Sequence, residues 1–137
     1  MQRSDAVRDA MVYFYDRLSA SDVARFDELV APDAALIIGT APGEWVTERD
    51  RMRFGFEAEG LRLVTGGAAI AYEEGSMGWV ADEPTFYFPD GSAMRTRLTA
   101  VLRQEGGTWA LVHMHVSVGV PDEEVLELQR RWGTAGG

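Results

Sequence analysis

The chain has 137 residues, is 46% hydrophobic and 26% charged, and carries 22 acidic against 13 basic side chains for a formal net charge of -9. That size and balance suit one globular domain and exclude a disordered chain, while the negative charge makes nucleic acid and anionic membranes poor partners. With no cysteine, disulfides, thiolate metal sites and thiol nucleophiles are excluded too.

The opening residues MQRSDAVRDAM lack the apolar core of a secretory leader, and no long apolar run follows. A cytoplasmic protein is therefore expected. From Ser4 as N-cap, Val7, Ala10, Met11, Phe14 and Leu18 recur at helical spacing and predict a first helix. A second amphipathic segment starts at Ser21 or Asp22, with Val23, Phe26, Leu29 and Val30 on one stripe, and stops at Pro32. The run AALIIGT reads as a short buried strand and APGE as a loop. Thr47 with Asp50 predicts a capping-box start for a third helix through Met52 and Phe56.

After Gly60 the hydrophobic period drops from about 3.6 residues to about 2. Strands are expected at Leu61–Glu73, Met77–Asp82, Thr85–Phe88, Ala93–Arg103 and Thr108–Val118. The sequences PDG at 89–91 and EGG at 105–107 are hairpin turns. Residues 1–120 form the core of a single domain, 1–137. Pro121 to Glu124 starts a C-terminal helix reaching residue 132, with Val125, Leu128 and Trp132 on one side, and 133–137 is a loose tail. Helices gathered on one side of an antiparallel sheet make an α+β domain.

The two histidines, His113 and His115, sit in the last strand and share a face at strand spacing. They can serve as metal ligands, an acid/base pair, anion binders or bystanders. Strict alternation puts Trp109, Leu111, His113, His115 and Ser117 on one face, with Arg95, Arg97 and Thr99 of the preceding strand. The opposite face carries Met94, Leu98, Leu102, Val112, Met114 and Val116. Trp109 and Leu111 suit a covered face, so the helices are expected to close over the mixed face as a pocket. The apolar face is then left to meet a second subunit. A metal would need a third ligand such as Asp82 from another strand, and without thiols none is expected.

With these residues in place, the chain resembles the SnoaL-like branch of the nuclear transport factor 2-like superfamily. The resemblance rests on Gly107-x-Trp109-x-x-Val112-His113-x-His115-x-Ser117, which is similar to the final strand of the association domain of calcium/calmodulin-dependent protein kinase II. The segments GTAPGEWVT (39–47), GWVAD (78–82) and RLTAVLR (97–103) are similar to bacterial SnoaL-like proteins. It implies a cone-shaped cystatin-like fold in which a curved sheet and three helices enclose a pocket, and a homodimer formed through the outer sheet face.

The resemblance also discriminates among activities. The steroid isomerases of the superfamily place a base after an acidic-Ala element, but Asp33-Ala34 is followed here only by apolar residues and Gly39. The epoxide hydrolases use Arg-x-Asp where this chain reads Arg97-Leu98-Thr99. Cyclase-type proton transfer needs a pocket acid or base, for which His113, His115 and Asp82 are the candidates. Arg97, Thr99 and Ser117, together with Tyr13, Trp45 and Trp79, are the expected ligand-binding residues. Tyr13 and Tyr15 sit on opposite flanks of the first helix, so only one can face inward. The expected protein binds a small, partly apolar, anionic or carbonyl-bearing molecule, with cofactor-independent isomerase, cyclase or lyase chemistry if it is catalytic. The alternative is a non-catalytic association module.

Overall fold

The computed structural model describes residues 1–133. The rest of the expected tail lies outside them. A short strand β1 (Gln2–Arg3) leads into α1 (Asp5–Ser19). Ser4 caps that helix as expected: its backbone is extended and its hydroxyl accepts from the Val7 N–H at 3.1 Å. Val7, Met11, Phe14, Tyr15 and Leu18 form the buried stripe of α1.

The second helix is shorter than its apolar stripe suggests. A 3-10 turn at Val23–Arg25 precedes one turn of α2 (Phe26–Leu29), and Val23 stays exposed. Strands β2 (Leu36–Ile38) and β3 (Trp45–Val46) then lead to α3 (Arg49–Glu57). The expected capping box is not formed. The helix is capped at Glu48 without a side-chain bond, and Arg49 ties its start to the carbonyls of Ala31 (2.7 Å) and Val30 (3.1 Å).

Two expected strands are each divided. The first becomes β4 (Arg62–Val64) and β5 (Ile70–Glu74), separated by the Gly66-Gly67 stretch in which Gly67 takes φ +82°. Strands β6 (Met77–Asp82) and β7 (Thr85–Tyr87) follow. The second becomes β8 (Ala93–Arg95) and β9 (Arg97–Glu105), separated by buried Thr96, whose N–H and hydroxyl both donate to the Pro84 carbonyl. The chain continues through β10 (Thr108–Ser117) to α4 (Asp122–Trp132).

The strands form two sheets, one ordered β1-β5-β6-β9-β10-β2-β3 and one ordered β4-β7-β8. Among the described residues every pairing is antiparallel except β10 with β2 and the isolated bridge of Val30 with Leu111. The class is α+β. Three helices were expected around the pocket and a further one from Pro121 to residue 132; four α-helices are found, of which α4 has no buried residue.

The core lies between α1, α3 and one face of the large sheet. Phe56 of α3 meets Phe14 edge-to-face at 5.3 Å and Phe26 at 5.6 Å. Val80, Leu98, Ala100 and Leu102 complete the core from the sheet. Gly78 of β6 is required by closeness: a Cβ there would come within 2.6 Å of Val7 and 3.2 Å of Trp109.

A bulge in β10 sets which residues face the core. Leu111 pairs with Leu102, but the next partner, Val101, pairs with His113, so Val112 is the extra residue. Beyond it Met114 pairs with Ala100 and Val116 with Leu98, both on the core side. Trp109 and Leu111 lie on that same side, packed with the core. The arrangement expected from strict alternation is therefore inverted. Met94, Leu98, Leu102, Met114 and Val116 face the interior and cannot form a dimer face, and of the mixed face on β10 only Trp109 and Leu111, before the bulge, are covered.

Candidate functional site

Two concave regions flank the large sheet. The inner one, about 320 Å³, is enclosed by α1, α3 and both sheets. Phe14 and Leu18 come from α1, Met52 and Phe56 from α3, and Phe86 and Met114 from the strands. Gly55 sits in the middle of α3, and a Cβ built on it would meet nothing nearer than Leu18 Cδ1 at 4.0 Å. The missing side chain keeps that wall open. The inner polar groups are few. Thr96 spends its hydroxyl on Pro84, and Thr40, Glu44 and Arg51 stand at the rim.

The rim is built by the turn between β2 and β3. Gly39 N–H donates to the Glu44 carbonyl at 2.8 Å, and Glu44 N–H donates to Ala41 at 2.9 Å. A Cβ on Gly39 would overlap the Glu44 carboxylate, so the glycine lets that side chain fold back across the turn. Arg51 on α3 donates to the Gly43 carbonyl at 3.1 Å and lies 3.7 Å from Glu48. Arg51 and Glu44 are the charged residues among those lining the inner cavity. Neither was singled out from sequence, because a glycine-containing loop and a helix flank give no periodic signal.

The outer region is an open groove of about 540 Å³ on the other face of the sheet. It brings together five of the nine residues expected from sequence to form the site: Asp82, Arg97, Thr99, His115 and Ser117. The pairing explains it. Ile70, Ala81, Thr99 and His115 occupy one row across β5, β6, β9 and β10, and Arg97 pairs with Ser117 in the next row. Asp82 ends β6 and is 7% exposed, with its carboxylate accepting from Thr65 Oγ1 (2.9 Å), Gly66 N–H (3.3 Å) and Glu83 N–H (2.8 Å).

The other four lie outside both regions. His113 is a neighbour of β2, where its Nδ1 donates to the Leu36 carbonyl at 2.8 Å. That bond fixes the ring as a strand-to-strand tie. Tyr13 is 44% exposed under the Arg17 guanidinium, and Trp45 is 60% exposed on edge strand β3. Trp79 stacks on Tyr72 at 5.1 Å on the outer face. The inward tyrosine is Tyr15, at 1% exposure. Burial, and after it the charge of Asp82, push its phenol above the ordinary range. The choice of Tyr13 over Tyr15 is thereby corrected, since α1 buries the stripe that continues Val7, Met11 and Leu18.

Among the described residues no cluster of three or more His, Asp or Glu side chains is placed to hold a metal ion. No helix among them is long and apolar enough to cross a membrane.

Residues 7–121 match the family model of the SnoaL-like domain. The chain belongs to that family. Solved structures of similar fold include a cystatin-like protein from Caulobacter vibrioides, 19% identical with a TM-score of 0.67, the alignment covering 93% of this chain and 96% of that one. A nuclear transport factor 2-like protein from Cytophaga hutchinsonii is 17% identical with a TM-score of 0.71, covering 87% of this chain and all of the other. The association domain of C. elegans calcium/calmodulin-dependent protein kinase II is 19% identical with a TM-score of 0.64, covering 83% and 93%. At these identities the likeness is one of fold, which this SnoaL-like protein shares. A comparison with curated proteins finds no match.

Proposed function

We propose that this SnoaL-like protein binds a small, largely apolar molecule in the inner cavity, with a carboxylate or carbonyl end at the Arg51–Glu44 rim. The observation that carries the reading is the lining: an enclosed apolar wall of Phe, Leu and Met side chains, with charge only at the mouth. About 320 Å³ lies in the range of small-ligand sites, which run from roughly 300 Å³ upward and use a few polar groups to orient an apolar body. Arginine offers a planar fork that suits a carboxylate. The glycine at position 55 supports the reading, because a helix-interior glycine is costly unless space is needed.

Proton-transfer chemistry at this cavity would use Glu44, the carboxylate that the lining supplies. Octanoate tests the reading. It should raise the melting temperature of the protein, and both Gly55→Leu, which fills the wall, and Arg51→Ala, which removes the fork, should reduce the effect. A shift that survives Gly55→Leu unchanged would refute inner-cavity binding.

Self-association through the outer sheet face is the second part of the proposal. Met77 and Trp79 are 41% and 36% exposed there, and the Tyr72–Trp79 stack lies beside them. A contiguous apolar and aromatic face of this kind marks an interaction surface. The residues differ from those expected from strict alternation, and the face is still the outer one.

A further inference from the structure

We infer that the outer groove is a second site, separate from the inner cavity, that binds the oxyanion head group of a small molecule between Arg97 and His115. The charge pattern carries the inference. Every basic side chain in this chain is an arginine, and acids outnumber them by 22 to 13. Nine of the thirteen guanidinium groups have an acid within salt-bridge distance. Arg3, Arg62 and Arg131 lie instead over aromatic rings. Arg97 alone has neither acid, ring nor hydrogen-bond acceptor among the described residues.

Arg97 is also placed to receive a ligand. It lines the concave groove, and the chain turns past it at Gly119, where a Cβ would come 3.9 Å from its Nε. The neighbouring polar groups are equally free: the hydroxyls of Thr99 and Ser117 and the ring of His115 make no hydrogen bond to other described residues, yet pairing sets them in adjacent rows beside Arg97. Neither acid in the groove is within ion-pair distance of Arg97. Asp82 turns its oxygens to Thr65, Gly66 and Glu83, and Glu83 is 3.3 Å from Arg95. What remains is an uncompensated fork with three free donors, the chemistry that recognises carboxylate and phosphate oxygens. Ile70 and Ala81 supply a short apolar wall beside it.

Nuclear magnetic resonance titration with inorganic phosphate and, separately, malonate tests the site and distinguishes the two head groups. At least one should give saturable shifts at His115, Ser117 and Gly119. Arg97→Ala should weaken binding at least tenfold and Arg97→Lys partly, because a point charge replaces a fork. Arg62→Ala should leave it unchanged. Gly55→Leu should also leave it unchanged, which separates this site from the inner cavity: octanoate binding can fail while anion binding stands, and the reverse. No saturable shift from either anion, equal affinity in Arg97→Ala, or an equal loss in Arg62→Ala would overturn the inference.

Discussion

The hydroxyl of Tyr15 is buried without a hydrogen-bond partner, close enough to the Asp82 carboxylate to feel its charge. Asp82 accepts from Thr65, Gly66 and Glu83 at the end of β6. Asp82 shares a row with core-facing Leu98, so Tyr15 and the Asp82 carboxylate lie on the same side of the sheet, at the edge of the outer groove. Both the burial and the neighbouring negative charge favour the neutral phenol.

The sign of the pH effect follows. An unfolded tyrosine ionises near pH 10, and the folded value lies above it. The stability gained by keeping Tyr15 neutral is thus fully present below about pH 10 and is lost as pH rises beyond it. Tyr15→Phe should flatten that alkaline loss in denaturant titrations run from neutral to high pH. At pH 7 it should change stability by no more than about 1 kcal/mol, because no hydrogen bond is broken. A loss of about 3 kcal/mol at pH 7 would mean that the hydroxyl has a partner after all.

Gly55 is the clearest case of stability given up for space. In a helix interior, alanine is better than glycine by roughly 0.5–1 kcal/mol, and the position has room for the methyl group. Gly55→Ala should raise the unfolding free energy by that amount and move the denaturation midpoint up accordingly. An unchanged or lower midpoint would show that the wall is less open than the geometry states.

The two faces of the large sheet separate the inner from the outer assignment. Leu98 is 1% exposed under the helices, so Leu98→Ala should cost about 2–5 kcal/mol, the range of core truncations. Paired changes on the other face, Met77→Arg with Trp79→Arg, should cost far less and yield monomers in light scattering if that face holds two copies together. Aggregation or unfolding by the paired change, with Leu98→Ala tolerated, would reverse the assignment.

Asp33 predicts the acid limb. Its carboxylate accepts two hydrogen bonds from Arg103, at 2.6 and 3.2 Å, and the first cause of its lowered pKa is that guanidinium. The contribution is present above the unfolded value near pH 4 and is lost as pH falls through the folded one. Asp33→Asn should remove this part of the acid sensitivity, read as a shallower fall of the urea midpoint between neutral pH and about pH 3. An identical pH profile in the variant would rule the pair out as a contributor.

Much of this protein follows from local chemistry alone. Ser4 begins a helix because its hydroxyl can take up a free N–H, and the stripe from Val7 to Leu18 has one apolar side to bury. The hairpin between β9 and β10 turns at Gly106 and Gly107, both at positive φ. These are short-range effects, and so the α+β class, the main helices and hairpins, and the sharing of one face by Arg97, Thr99, His115 and Ser117 were legible in the residues.

Which side of the sheet those residues face was decided only in three dimensions. Alternation along a strand is a rule of period two, and one additional residue reverses every assignment beyond it. Val112 is that residue: before it Trp109 and Leu111 pack with the core, and after it His113, His115 and Ser117 point outward. Nothing in the run TWALVHMHVS marks the bulge, since valine is at home in any strand. It is set by the partners, Leu102 and Val101 of β9 and Leu36 of β2, whose hydrogen bonds hold β10 from both sides. The same holds for the inner cavity, whose rim joins a loop glycine at 39 to an arginine at 51 and whose wall depends on a side chain that position 55 does not have. Local residues chose the elements, and the pairing between distant strands chose the faces.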